Sequence, residues 1–196
     1  AKRLQMSPGA LFEPEGHGAD FGHCARALYA AGFRADDVVH NSFSYHLTPG
    51  AYILEEGALA LGCAVIPGGV GNTEQQLAAI AQYKPVGYVG TPDFLKILID
   101  TAEKTGLGKL SFKRALVSGA ALPGSLREEL GQRGVAVLQC YAVAEAGVIA
   151  YESEAREGMI VSEPLIVEIV RPGTGDPVAP DEVGEVVVTT ANPDYP

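Results

Sequence analysis

The chain has 196 residues, 47% of them apolar, which is enough for one sizeable core and excludes a disordered segment. With 24 acidic against 14 basic residues its net charge is -10, the wrong sign for a surface built on nucleic-acid phosphates. The cysteines, Cys24, Cys63 and Cys140, are odd in number and far apart, and no run approaches the roughly 20 apolar residues of a membrane span.

No disulfide framework is implied, so a reducing compartment is expected, with the cytoplasm as the default. The start, AKRLQMSPGA, has no apolar core behind its basic residues and does not read as a signal peptide. Lacking an initial Met and stopping at Asp194-Tyr195-Pro196, the chain reads as an excerpt of something longer.

Residues 7–20 contain Pro8, Gly9, Pro14, Gly16 and Gly18, a density of breakers that predicts an irregular loop. Asp20 then caps a helix whose buried face is Phe21, Cys24, Ala25, Leu28 and Tyr29, closed by Gly32. A strand at residues 38–40 is followed by a helix from Gly50 to Gly62, and residues 63–66 form the next strand. Thr73 and Gln76 have the spacing of a capping box before a helix buried through Leu77, Ile80 and Ala81.

A strand at residues 87–89 leads to Thr91-Pro92, an N-cap with Pro at the first helical position, and Leu95, Leu98, Ile99 and Ala102 mark that helix's core face. Residues 114–118 are a strand, 123–133 a helix and 135–139 a strand. This alternation predicts an α/β, doubly wound, mostly parallel sheet. After Glu152 the pattern turns β-rich, at residues 159–161, 165–171 and 185–190, without helices. The expected division is therefore an α/β core over residues 1–152 and a small antiparallel β subdomain over 153–196.

Chemistry is expected at residues 139–152, QCYAVAEAGVIAYE, in the loop at the carboxyl end of the strand at 135–139. That edge of an open α/β sheet is where ligands bind. The Tyr141 ring can lie against a base, and the Glu145 carboxylate can hold a hard cation, most simply Mg²⁺ carried in on phosphates. His17, His23 and Cys24, or Cys140 with His46, are weaker candidates for a metal, because zinc sites pair two short spacings. Cys140 has no His implied beside it and reads as a small apolar residue rather than a nucleophile. The Gly-x-Ser-x-Gly elbow of serine hydrolases and the Gly-x-Gly-x-x-Gly of dinucleotide folds are both missing.

Tyr141 and Glu145 resemble the Tyr-Gly-x-Thr/Ser-Glu segment of adenylate-forming acyl-CoA synthetases, with Ala142 and Ala144 in place of the Gly and the hydroxyl residue. Further segments follow in the order of the phenylacetate-CoA ligase-like branch of that superfamily. Ser7-Pro8-Gly9 keeps a fragment of its Ser-Ser-Gly-Thr-Thr-Gly-Lys-Pro loop, with Ala10, Leu11, Phe12 and Glu13 where the Thr pair and Lys would follow. Tyr45-His46-Leu47-Thr48-Pro49-Gly50 resembles its Tyr-Gly-Leu-Phe-Thr-Gly-Gly turn, and residues 65–76, with Gly68, Gly69 and Gly71, its Val-Ile-Pro…Gly-Gly-Asn-Thr-Glu-x-Gln segment. Thr91-Pro92-Asp93-Phe94 matches Thr-Pro-Ser-Tyr, while Ser118-Gly119-Ala120-Ala121 stands at the Gly-Ala/Gly-Glu-Pro loop with Ala121 at the Glu position. Glu168-Ile169-Val170-Arg171-Pro172-Gly173-Thr174-Gly175 matches a Glu-Ile-x-x-Pro-x-Thr-Gly turn.

The resemblance implies a carboxylic acid:CoA ligase using ATP, Mg²⁺ and CoA, on an aromatic or arylacetic acid, with a homodimer possible. It implies that Ser7 and Gly9 face the phosphates. Ser118, Gly119, Ala120, Ala121, Gln139, Cys140, Tyr141, Ala142 and Ala144 would border the nucleotide. Tyr45, His46, Thr48, Gly68 and Gly69, with Phe43 nearby, would border the acid, and Glu145 would be the metal ligand and catalytic carboxylate. The family's Arg-x-x-Asp segment and its lid domain with a catalytic Lys have no counterpart in these residues, so the fragment is expected to fold without turning over. The competing expectation is a degenerate or truncated module that binds nucleotide or acyl ligand, or packs against partners.

Overall fold

The computed structural model describes residues 1–7 and 11–193. In chain order its elements are β1 (Arg3–Ser7), β2 (Leu11–Glu15), α1 (Ala25–Ala30), β3 (Val38–Asn41), α2 (Gly50–Ala60), β4 (Ala64–Pro67), α3 (Thr73–Tyr83) and β5 (Gly87–Gly90). There follow α4 (Pro92–Lys104), β6 (Arg114–Val117), α5 (Gly124–Gln132), β7 (Ala136–Val143), β8 (Gly147–Glu152), β9 (Met159–Val161), β10 (Leu165–Val170) and β11 (Glu185–Thr190). Seven strands form one sheet in the order β4-β3-β5-β6-β7-β8-β9, and β1-β2 and β10-β11 are separate two-stranded sheets. The first five strands of the large sheet pair in parallel; β8 and β9 run antiparallel at its end.

Each central strand buries both faces, because alternate side chains point to opposite sides of the pleat. Val39, Val89, Leu116 and Leu138 face one way and pack with Leu28, Phe33, Leu54 and Ala58 of α1, α2 and the segment after α1. Tyr88, Ala115, Val117 and Val137 face the other way, onto Leu77, Ile80, Leu95, Leu98 and Leu130 of α3, α4 and α5. Helices thus cover both faces, as the doubly wound reading expects. A smaller cluster of Ile149, Ala150 and Leu165, with Val167 and Val188 against it, fastens β10 and β11 to β8.

The Thr91 cap is present: its side chain accepts from the Phe94 N–H at 3.4 Å. Five expectations are corrected. Residues 7–20 are not irregular throughout, since β2 pairs with β1 from Arg3↔Glu15 to Ser7↔Leu11. Asp20 does cap, accepting from the Cys24 and Ala25 N–H groups at 2.8 and 2.9 Å, but the helix starts only at Ala25 and Tyr29 is exposed under the Arg34 guanidinium. There is no capping box at α3: Asn72 caps it in a left-handed conformation without a side-chain bond, the Gln76 amide turns inward, and Ala81 is exposed. The strand at 135–139 runs on to Val143, so Tyr141 stands in β7 and only Glu145 lies in the turn to β8. Residues 159–161 extend the large sheet rather than the C-terminal hairpin.

Leu116 lies at 0% exposure in the middle of the sheet, so Leu116→Ala removes three carbons' worth of packing from a site that cannot collapse. Urea denaturation should register a loss of about 2–5 kcal/mol. A loss below about 0.5 kcal/mol would contradict the two-sided core.

Candidate active site

The chain passes from β3 outward to β4 and returns to β5 on the other side of β3. At such a reversal the loops leaving the strand ends separate to either side and open a crevice at the carboxyl edge. The loops after β3, β5 and β6 converge there. The Ser42 N–H donates to the Val89 carbonyl and the Ser118 N–H to the Gly90 carbonyl. Gly119 takes φ +74°, a conformation that favours glycine, and a β-carbon on it would be in ordinary contact with Phe43 Cε1 at 3.4 Å and Thr91 Cγ2 at 3.7 Å. Ser118 Oγ donates to the Cys140 carbonyl at 2.9 Å, tying this loop to β7.

Val117 pairs with Gln139, so Gly119, just past the end of β6, and Tyr141, still within β7, lie two residues further along neighbouring strands. Neighbouring strands lie about 4.8 Å apart. Tyr141 is 44% exposed and residues 119–121 are exposed, so a ring face and a shelf of small residues stand side by side. Glu145, also exposed, forms no hydrogen bond or ion pair among the described residues. It is held on the turn of a hairpin that Glu152 anchors, accepting both Arg127 N–H groups at 2.8 Å and the Gln139 backbone and side-chain N–H groups at 3.0 Å. Burial works against the Glu152 anion, yet Arg127 and Gln139 hold its carboxyl below the usual range.

The other nucleotide-side candidates divide. The Gln139 amide is committed to Glu152 and Cys140 points into the core, its thiol pushed by burial to about 11, so neither offers a side chain to the edge. Ala142 packs on the same core, and Ala144 lines a small cavity with Glu13, Pro14 and Phe21. Ser7 ends β1 beside the acid-side loop, for the Met6 N–H donates to the Leu47 carbonyl at 2.8 Å; the Ser7 hydroxyl is buried with no hydrogen-bond partner among the described residues. Gly9 lies outside the described residues. Lys2 and Arg3, the cations of this hairpin, are spent on Glu15 and Glu56.

On the acid side, Asn41 is the pin that sequence reasoning missed. Its amide donates to the Tyr45 hydroxyl at 3.0 Å and to the Ala51 carbonyl at 2.9 Å, and its oxygen accepts the Phe43 N–H at 3.0 Å. The Tyr45 hydroxyl in turn donates to Glu55 at 2.5 Å; burial and that carboxylate hold it protonated far above the usual tyrosine range. Tyr45 therefore presents its ring, not its hydroxyl. A β-carbon on Gly69 would stand 4.0 Å from that ring, so Tyr45 and Gly69 are brought together, with Gly68 behind them on His40. His46 is exposed, and Thr48 hydrogen-bonds locally to the Ser44 carbonyl.

Among the described residues no three His, Cys, Asp or Glu side chains are grouped to hold a metal. Glu145 alone fits only a cation that arrives with its other ligands, as Mg²⁺ on phosphates does. The Cys24 thiol is fully buried and raised by that burial well above its ordinary range, which suits neither a ligand nor a nucleophile.

The model of the family described as AMP-binding enzyme matches residues 19–193. The chain belongs to the AMP-binding enzyme family. AMP-binding enzymes among the curated relatives include the phenylacetate-coenzyme A ligases of Pseudomonas putida, 34% identical over 173 residues, and Aromatoleum evansii, 31% identical over 173 residues. Each match takes in 85% of this chain and 39% of the relative, so the chain spans about two-fifths of their length. A solved 2-hydroxyisobutyryl-CoA ligase in complex with 2-HIB-AMP and CoA superposes with TM-score 0.86 at 20% identity, over 96% of this chain and 44% of that one. An anthranilate CoA ligase with anthranoyl-AMP gives TM-score 0.75 at 16% identity, over 96% of this chain and 39% of that one. The AMP-binding fold is therefore shared well beyond detectable sequence likeness.

The buried His40 ring is kept neutral, its pKa lowered by burial despite the bond to Gln76. A folded pKa below the unfolded value of about 6.5 gives stability that is complete above about pH 6.5 and declines as pH falls through it. His23, lowered by burial as well, adds in the same window. Urea midpoints at pH 7.5 and 5.5 should therefore drop for the wild type and drop less for His40→Asn, which cannot charge; equal drops would contradict the buried neutral ring.

Proposed function

We propose that the full-length protein carrying this chain is an AMP-forming carboxylic acid:CoA ligase. Its substrates are then ATP, CoA and a small acid, for which an aromatic or arylacetic acid is the best match. The observation that carries the reading is the exposed Tyr141 ring beside the exposed Gly119 loop at the carboxyl edge of the sheet, in a chain of this family. Adenine stacks on Tyr141, with residues 118–121 as its shelf, and the acid lies toward Gly69 and the Tyr45 ring. The ring face and the glycine loop favour a flat, apolar body over a charged one.

In the first half-reaction an acid oxygen attacks the α-phosphorus of ATP, a P–O bond forms, and pyrophosphate leaves with its electron pair. In the second, the CoA sulfur attacks the acyl carbon, a C–S bond forms as the acyl C–O bond breaks, AMP departs with that electron pair, and the thiol proton is lost to solvent. Glu145 would hold Mg²⁺ arriving on the phosphates, an ion that would supply positive charge against them. The residues of this chain contribute by position and charge, the means by which such phosphoryl and acyl transfers are accelerated. The Ser7 hydroxyl is buried rather than turned out toward the phosphates, and no cation of its own hairpin takes its place. For that reason these 196 residues by themselves are expected to fold and not to turn over.

Acid-dependent exchange of labelled pyrophosphate into ATP, run on the full-length protein with a panel of aryl, arylacetic and short-chain acids, tests the reading. Exchange with an aryl or arylacetic acid supports it; exchange with none of the acids favours a nucleotide-binding module without catalysis. Tyr141→Ala should raise KM for ATP by roughly 5- to 150-fold, the worth of one base–aromatic stack. Since the ring is exposed, the variant should keep the wild-type thermal midpoint within about 2 °C.

A further inference from the structure

The glycine loop at residues 68–71 is held by one side chain. Gln76 Nε2 donates to the Gly69 carbonyl at 3.0 Å and to the Gly71 carbonyl at 2.5 Å, while its Oε1 lies 2.6 Å from His40 Nε2. Two carbonyls accept only from the NH₂ end of the amide, so Oε1 must face His40, and His40 must carry its proton on Nε2. His40 Nδ1 is then a bare acceptor, and it is buried without a partner among the described residues. The ring is itself fixed at 0% exposure, near parallel to Tyr88 at 6.4 Å and tilted to Phe112 at 6.2 Å. The orientation of the Gln76 amide is thus dictated from the core.

Gly68 lies directly on this pair. A β-carbon there would stand 2.7 Å from His40 Cε1 and 2.9 Å from Gln76 Oε1, closer than carbon is found to either atom. The loop continues with Gly69 at φ +69°, whose N–H donates to the Asn41 carbonyl and which borders the Tyr45 ring. Asn41 thereby fixes Tyr45 from one side and Gly69 from the other. Between Gly69 and Asn72 the loop is drawn to the protein by the Gln76 amide, which donates to the carbonyls of Gly69 and Gly71.

We propose that Gln76, aimed by His40, is a positioning residue for the acid site: its amide draws the carbonyls of Gly69 and Gly71 inward, which keeps Gly69 against Tyr45 and determines the space the acid's body can occupy. The inference rests on the acid:CoA ligase reading and adds to it a residue that touches no substrate. Gln76 Nε2 is satisfied twice over within the protein, so it has no hydrogen bond left to give an acid.

The test is Gln76→Glu in the full-length protein. The carboxylate still accepts from His40, but it turns an acceptor toward two carbonyl oxygens, which repel it. KM for the acid should rise about tenfold or more, with KM for ATP within about twofold of wild type. Hydrogen–deuterium exchange at residues 68–71 should quicken while α4 and β6 keep their protection. His40→Asn, which loses the ring that aims the amide, should move the same KM in the same direction by a smaller factor, and it carries the comparison if Gln76→Glu does not fold. Both KM values rising together, or neither moving, overturns the proposal with an active wild type in hand. A wild type without acid-dependent exchange overturns the proposal too, but through the ligase reading beneath it, and the two failures are told apart by that control.

Discussion

A parallel sheet covered by helices on both faces leaves its polar chemistry only one outlet, the carboxyl edge. Val39, Val89, Leu116 and Leu138 on one face and Tyr88, Ala115, Val117 and Val137 on the other are sealed by five helices. Nothing soluble reaches the middle of the strands. Because the order reverses about β3, the loops after β3, β5 and β6 meet at one point of that edge. Everything assigned to ligand binding follows from this. Asn41 and His40 matter because they are the last buried polar groups of β3, and each reaches into the loops just above it.

A second polar constraint attaches the N-terminal hairpin. Lys2 and Arg3 pair with Glu56 of α2, Arg3 and Gln5 also bind Glu15, and the Arg3 guanidinium lies over the Tyr52 ring. Burial raises Glu15 above the usual carboxylate range, whereas Lys2 and Arg3 hold Glu56 below it against the same burial. Such a cluster specifies a geometry more than it stabilises one, since desolvating the charges offsets much of their attraction. Here it seats β1 so that Ser7 ends beside the loop carrying Tyr45.

The parallel core was legible because its signals are local. The five strands alternating with helices, and the Thr91-Pro92 cap, depend on residues within a few positions of one another. The N-terminal hairpin was not, because its alternation is inverted: Gln5 and Glu15 are buried while Leu4 and Phe12 face outward, an arrangement sustained by Glu56 far along the chain. Gln76 was visible in the sequence but assigned to a cap, since a Thr three residues ahead is a local cue and the carbonyls it serves are not. Tyr141 fell in a strand because β7 outlasts its parallel partner and takes β8 as a new one, with a register shift at Tyr141/Ala142. Of the proposed site, Tyr141, Gly119, Tyr45 and Gly69 do lie at the shared edge; Gln139 and Cys140 turn away from it.

The most direct measurement is residue-resolved hydrogen–deuterium exchange of the full-length protein with and without AMP. Slowed exchange at residues 118–122 and 140–146, with the opposite edge around Lys109 and Arg133 unchanged, is the result this account predicts. Protection confined to that opposite edge, or protection nowhere, would contradict it.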